Sequence, residues 1–139
     1  MTDSPRIDGA SNKEANLVLV VEDEALIREF VCELLGEEGW KTAGVESADQ
    51  ALEYLNQNSN KVNLLLTDIL MPGSMNGAGL ANYTAQTWPE IPIMIMSGHE
   101  TPESSGVTIP VSFVRKPWTL GQLLDGVEKA LATVPRAIS

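Results

Sequence analysis

Cysteine is nearly absent: Cys32 stands alone, so the chain can form neither an internal disulfide nor a multi-thiolate metal site, which fits a reducing cytoplasm. Histidine is equally scarce, and with His99 as the single copy a histidine-rich metal centre is excluded. Basic residues number 9 against 19 acidic ones, a formal charge of -10, so a nucleic-acid backbone or an anionic membrane repels the chain on average. Neither nucleic acid nor membrane is therefore expected as a partner. No apolar run approaches membrane-spanning length, and the polar start, MTDSPRIDGASNKEAN, lacks the apolar stretch of a signal sequence. A cytoplasmic location is expected. Trp40, Trp88 and Trp118 have no basic groove beside them and read as packing residues at element ends rather than a base-stacking platform.

What is present suffices for one core: 43% of the 139 residues are hydrophobic, and a second folded domain does not fit. Residues 1–15 are polar, without apolar periodicity, and read as a flexible tail. Leu17-Val18-Leu19-Val20-Val21 is a continuous run of β-formers, as expected of a strand covered on both faces. Leu26, Ile27, Phe30, Val31, Leu34 and Leu35 follow at helical spacing, with Gly36 and Gly39 as stop signals. Residues 41–45 can form a second strand, and Ala48, Ala51, Leu52 and Leu55 mark a helix broken by residues 56–60. A third strand begins at Val62 and ends at Thr67-Asp68. A Pro- and Gly-containing loop precedes a helix over 78–87, then come strands at 93–96 and 111–114. Leu120, Leu123, Leu124, Val127 and Leu131 make the stripe of a final helix. Residues 100–110, with two prolines and a glycine, oppose a stable helix. Alternating strands and helices indicate an α/β fold with a parallel sheet.

In an open parallel sheet, ligands bind beyond the carboxyl ends of the strands. The polar residues fall there: Glu22 and Asp23 after the first strand, Asp68 at the end of the third, Ser97 and Gly98 after the fourth, Lys116 after the fifth. Clustered carboxylates repel one another unless a cation neutralises them, and a hard divalent ion with oxygen ligands does so. Asp68 can then serve as both ligand and nucleophile. In phosphoryl transfer the protein mainly aligns the reactants and neutralises charge on the equatorial oxygens. Lys116 offers a point charge for one such oxygen, and the Ser97 hydroxyl and Gly98 amide can hold another.

Here the chain resembles the response-regulator receiver family, of the stand-alone, single-domain kind. The resemblance rests on Val20-Val21-Glu22-Asp23-Glu24, Thr67-Asp68-Ile69-Leu70-Met71-Pro72, Met75-Asn76-Gly77, Met96-Ser97-Gly98 and Val114-Arg115-Lys116-Pro117. It covers residues 16–133, leaving 1–15 and 134–139 as tails. It implies a doubly wound, flavodoxin-like five-stranded parallel sheet of order 2-1-3-4-5 with helices on both faces. Receivers are themselves among the standard examples of this strand order, so the order is carried by the resemblance and not by the spacing of elements. By motif position, Glu22 and Asp23 match the metal-binding acids, Asp68 the phosphoacceptor, and Leu70 the residue whose backbone carbonyl completes the ligands of magnesium, or manganese in its place. Ser97 matches the switch hydroxyl, Phe113 the switch aromatic and Lys116 the family lysine, with a cis peptide before Pro117. The implied partners are a histidine kinase or histidine phosphotransfer protein and an unknown downstream protein target. The stretch from Ser97 to Lys116 is shorter than usual for the family, so its fourth helix is expected to be short or distorted.

Taken singly, each feature has a plainer reading. Glu22, Asp23 and Glu24 could cap a helix, Asp68 could start a turn, and Ser97-Gly98 is a common loop pair. Their coincidence at four strand ends decides between the readings. Gly77-Ala78-Gly79 does not continue into a dinucleotide fingerprint, and Cys32 reads as a small core or boundary residue. Two other functions stay open: a phosphorylation-independent interaction module on the same fold, and a small aspartyl-phosphate phosphatase. The second normally carries Asp-x-Asp after its first strand, whereas Asp68-Ile69-Leu70 lacks the second acid. The expectation is a signalling switch that assists its own phosphorylation and dephosphorylation, not a turnover enzyme.

Overall fold

The structure, a computed structural model, describes residues 17–69, 75–97, 112–116 and 118–132, with residues 112, 113, 115, 131 and 132 described through their backbone only. Five strands, β1 (Leu17–Val21), β2 (Lys41–Val45), β3 (Val62–Asp68), β4 (Ile93–Ser97) and β5 (Ser112–Arg115), form one parallel sheet of order β2-β1-β3-β4-β5. The order matches the expectation. Helices α1 (Ala25–Glu37), α2 (Ala48–Asn58), α3 (Gly77–Thr87) and α4 (Leu120–Ala132) complete the described elements, with a 3-10 turn at Ser59–Lys61. No described helix is long and apolar enough to cross a membrane.

The sheet has a core on each face because β1 is apolar at every position and β4 at all but its last, rather than at alternate ones. Leu17, Leu19, Val21, Ile93 and Ile95 pack with Ala48, Ala51 and Leu55 of α2 and Leu80 and Ala81 of α3. Val18, Val20, Met94 and Met96 face the opposite way, against Val31 and Leu35 of α1 and Leu123, Val127 and Ala130 of α4. Between Leu17 and Val18 the register with β3 shifts, from Leu17 opposite Val62 to Val18 opposite Leu64. Asn63 is the extra residue of this bulge, and its Oδ1 accepts the Leu17 N–H at 2.8 Å.

The ends of the helices follow local chemistry. Gly39, at φ 96°, ends α1: its N–H donates to the Gly36 carbonyl at 3.1 Å and the Trp40 N–H to the Leu35 carbonyl at 3.0 Å. This is the Schellman pattern, and Gly36 itself stays inside the helix. Ser47 caps α2 by accepting the Gln50 N–H at 3.1 Å. The expected break at residues 56–60 comes later than its first residue, since α2 runs to Asn58, where the Asn58 amide donates to the Tyr54 carbonyl at 3.1 Å.

In α1 the apolar pattern is wider than the buried stripe. Val31 and Leu35 are fully buried, whereas Leu26 is 82% and Phe30 52% exposed. The two exposed residues lie to one side of the face that meets the sheet, and the Phe30 ring stacks on Trp118, with centroids 6.1 Å apart and planes 8° from parallel. The expected short or distorted fourth helix between β4 and β5, and both tails, lie outside the described residues.

Candidate functional site

Parallel pairing brings four strand ends to one rim. Past β1, the Glu22 N–H still reaches the Val45 carbonyl of β2 at 3.1 Å. Asp68 closes β3 opposite Met96, and the next residue of β4, Ser97, lies opposite Arg115. Lys116 leaves β5 with its N–H donated to the Ser97 carbonyl at 2.8 Å. The carboxylates of Glu22, Asp23 and Asp68 converge so that one oxygen from each lies within 4.8 Å of the others. Glu22 is fully buried, Asp68 is 7% exposed and Asp23 is open to solvent. The Lys116 Nζ donates to Asp68 Oδ2 at 2.8 Å and to Glu22 Oε1 at 3.3 Å.

Glu22 and Lys116 have shifted proton affinities. Burial lifts the Glu22 carboxyl from its ordinary 4.5 to about 7; the Glu24 N–H, donated at 3.2 Å, opposes the rise, Asp68 adds to it and Lys116 opposes it. Burial pulls Lys116 down, but the hydrogen bond and charge of Asp68, with Glu22 behind them, overcome it and leave the ammonium above its ordinary value. Lys116 is thus a held cation between two carboxylates. All three converging acids offer oxygen donors, a set that suits a hard divalent ion such as magnesium.

The expected residues Glu22, Asp23, Asp68 and Lys116 come together. Ser97 sits on the same rim, 2% exposed. Leu70, Gly98, Pro117 and His99 lie outside the described residues, and of Phe113 the backbone is placed on β5 opposite Ile95. The capping reading of the acids fails for Glu24, which occupies the N-cap of α1 without a side-chain capping bond. Cys32 is half-buried, a boundary residue.

Three supporting roles escaped the sequence reading, although Thr67 and Gly77 stand within the motifs quoted for the resemblance. The Thr67 hydroxyl donates to the Asp68 carbonyl at 2.9 Å in a buried setting. Gly77 begins α3 directly against that carbonyl: its N–H donates to the Ile69 carbonyl at 2.9 Å, and a Cβ built at Gly77 would overlap the Asp68 carbonyl oxygen. Arg28 folds back from α1 to donate from Nη1 to the Glu22 carbonyl at 2.8 Å. A usable signal existed only for Gly77, a glycine directly before the expected helix over 78–87, where no terminator is needed.

Comparison with known proteins shows the family. The sequence profile of the family described as "Response regulator receiver domain" matches residues 18–128. The chain belongs to this family. The receiver is 31% identical over 124 residues to the nitrogen assimilation regulatory protein NtrX of Azorhizobium caulinodans, covering 86% of this chain and 27% of that protein. Among solved structures, a response regulator receiver protein from Sinorhizobium medicae superposes with a TM-score of 0.78 at 28% identity, over 86% of this chain and 96% of that one. The receiver domain of NtrX from Brucella abortus gives 0.74 at 32% identity, over 84% and 98%. The receiver spans about a quarter of the length of the NtrX and NtrX-like relatives it matches.

Proposed function

We propose that this receiver accepts a phosphoryl group on Asp68 from a phosphohistidine of a partner kinase or phosphotransfer protein. The observation that carries the reading is the Lys116 ammonium on Asp68 Oδ2 within a trio of converging carboxylates. Asp68 Oδ attacks phosphorus, the new O–P bond forms as the P–N bond to imidazole breaks, and the freed imidazole nitrogen takes a proton from solvent. Lys116 stays with the phosphoryl oxygens and neutralises charge as it builds there. Glu22, Asp23 and Asp68, with the Leu70 carbonyl that the family resemblance implies, would hold magnesium, or manganese in its place, which when bound would supply neutralisation of the phosphoryl oxygens. Hydrolysis reverses the bond to Asp68, with water as nucleophile and the carboxylate as leaving group, so the domain returns to its starting state without being a turnover enzyme.

The new charge draws the Ser97 hydroxyl, and Gly98 holds a second oxygen through its amide. Phe113 then turns inward and changes the surface offered to a downstream protein. The phosphodonor docks on an apolar patch made by the exposed Leu26 and by Phe30 stacked on Trp118, two residues along the chain from Lys116. The domain works in the cytoplasm, and its charge of -10 keeps this segment off nucleic acid and membranes.

Incubation with a small phosphodonor and magnesium, followed by intact-mass measurement, tests the reading. One phosphoryl mass is expected on the wild type and none on Asp68→Asn. A wild type without an adduct, and without NMR changes on adding beryllofluoride, would sink the reading in favour of a phosphorylation-independent interaction module.

A further inference from the structure

The Glu22 backbone is gripped on both of its peptide groups. Its N–H donates to the Val45 carbonyl of the edge strand β2 at 3.1 Å, and its carbonyl accepts from Arg28 Nη1 at 2.8 Å. Arg28 reaches it by laying its aliphatic stem over Gly44, the β2 residue just before Val45. A Cβ built at Gly44 would lie 3.2 Å from both Cγ and Cδ of Arg28, closer than a relaxed contact. Gly44 is exposed on an edge strand, where its lack of a side chain is otherwise unfavourable, and its backbone takes an ordinary φ. The missing side chain therefore makes room for the arginine stem.

We propose that Arg28, seated on Gly44, is a positioning residue for the cation-binding acids: it fixes the peptide that joins Glu22 to Asp23 and thereby aims both carboxylates at Asp68. The inference rests on the metal-binding part of the proposed function. An outer partner of this kind orients the ligands without touching the ion. Charge and position pull in opposite directions here. A guanidinium close to the acids opposes a bound cation by repulsion, so its removal alone would tighten binding; loss of the grip on Glu22 weakens it. The sign of the change separates the two.

Manganese titration of the full chain without a phosphodonor, with the free ion followed by electron paramagnetic resonance, measures this directly. Arg28→Met keeps the stem but removes the donor, and Gly44→Val keeps the donor but displaces the stem. Each is expected to weaken manganese binding about 10-fold. Gly44→Val is expected to do so with thermal stability held or raised, because valine favours strands. Asp23→Asn reports the ligand set and is expected to lose binding. Binding in Arg28→Met as tight as wild type or tighter, with Asp23→Asn defective, overturns the role of Arg28 and leaves the metal reading standing. Wild type that binds no manganese overturns both. If Arg28→Met loses its folded circular-dichroism signal, Gly44→Val decides: unchanged affinity there overturns the proposal.

Discussion

Glu22 is a buried acid whose proton is tied to the fold. Its carboxyl sits at about 7 in the folded protein against 4.5 ordinarily, so between those values the native state binds a proton that the unfolded chain has released. Stability then falls as pH rises: the fold is least penalised below about pH 4.5 and carries the full cost above about 7. In chelator, urea unfolding is expected to show a loss of roughly 1–3 kcal/mol between about pH 4.5 and about 7.5. Glu22→Gln, a permanent mimic of the neutral form, should flatten that slope; an unaltered slope would place the titrating group elsewhere. Lys116, raised by its carboxylate neighbours, loses its contribution only as pH climbs through its elevated folded value, well outside this window. Gly77 makes a steric demand instead. Gly77→Ala drives a methyl into the Asp68 carbonyl, and should cost about 1–3 kcal/mol in urea unfolding and slow adduct formation on Asp68.

At the scale of elements, termini are set by single residues and faces by the sheet. The α1 terminus depends on Gly39 at φ 96°, and Gly39→Ala is expected to cost about 1 kcal/mol in urea unfolding, since a side chain strains that backbone. A cost near zero would mean that the chain re-closes the helix another way. The bounds of β1 were legible in the sequence because the apolar run Leu17 to Val21 meets acids abruptly, whereas β4 and β5 each run one residue past their expected ends. The faces of α1 were not. Leu26 and Phe30 have helical spacing and the hydrophobicity of core residues, but the sheet is covered by Val31 and Leu35 and leaves them outside. Phe30→Ala should therefore cost less than about 1 kcal/mol in stability, well below a core truncation, and should slow transfer from a phosphohistidine donor more than from a small phosphodonor. Equal slowing with both donors would remove Phe30 from the docking surface.

The whole molecule balances an acidic surface against a rim of converging acids. A divalent ion that binds the folded trio and not the unfolded chain stabilises the fold by mass action, about 3 kcal/mol at a hundred times its dissociation constant. Magnesium should raise urea stability near neutral pH by about that amount, and chelator should reverse the gain; Asp23→Asn should blunt it. The sequence by itself determined the layer order, the acids, the hydroxyl and the lysine, because alternating apolar strands and helices impose a parallel sheet whose polar residues gather at one end. Tertiary structure decided what those residues touch. Lys116 is 94 positions from Glu22 and 48 from Asp68, so only the sheet could make its ammonium bridge both. It also decided the Arg28 grip, the Gly77 contact and the exposed side of α1, which depend on how separate elements pack and carry no periodic mark in the chain.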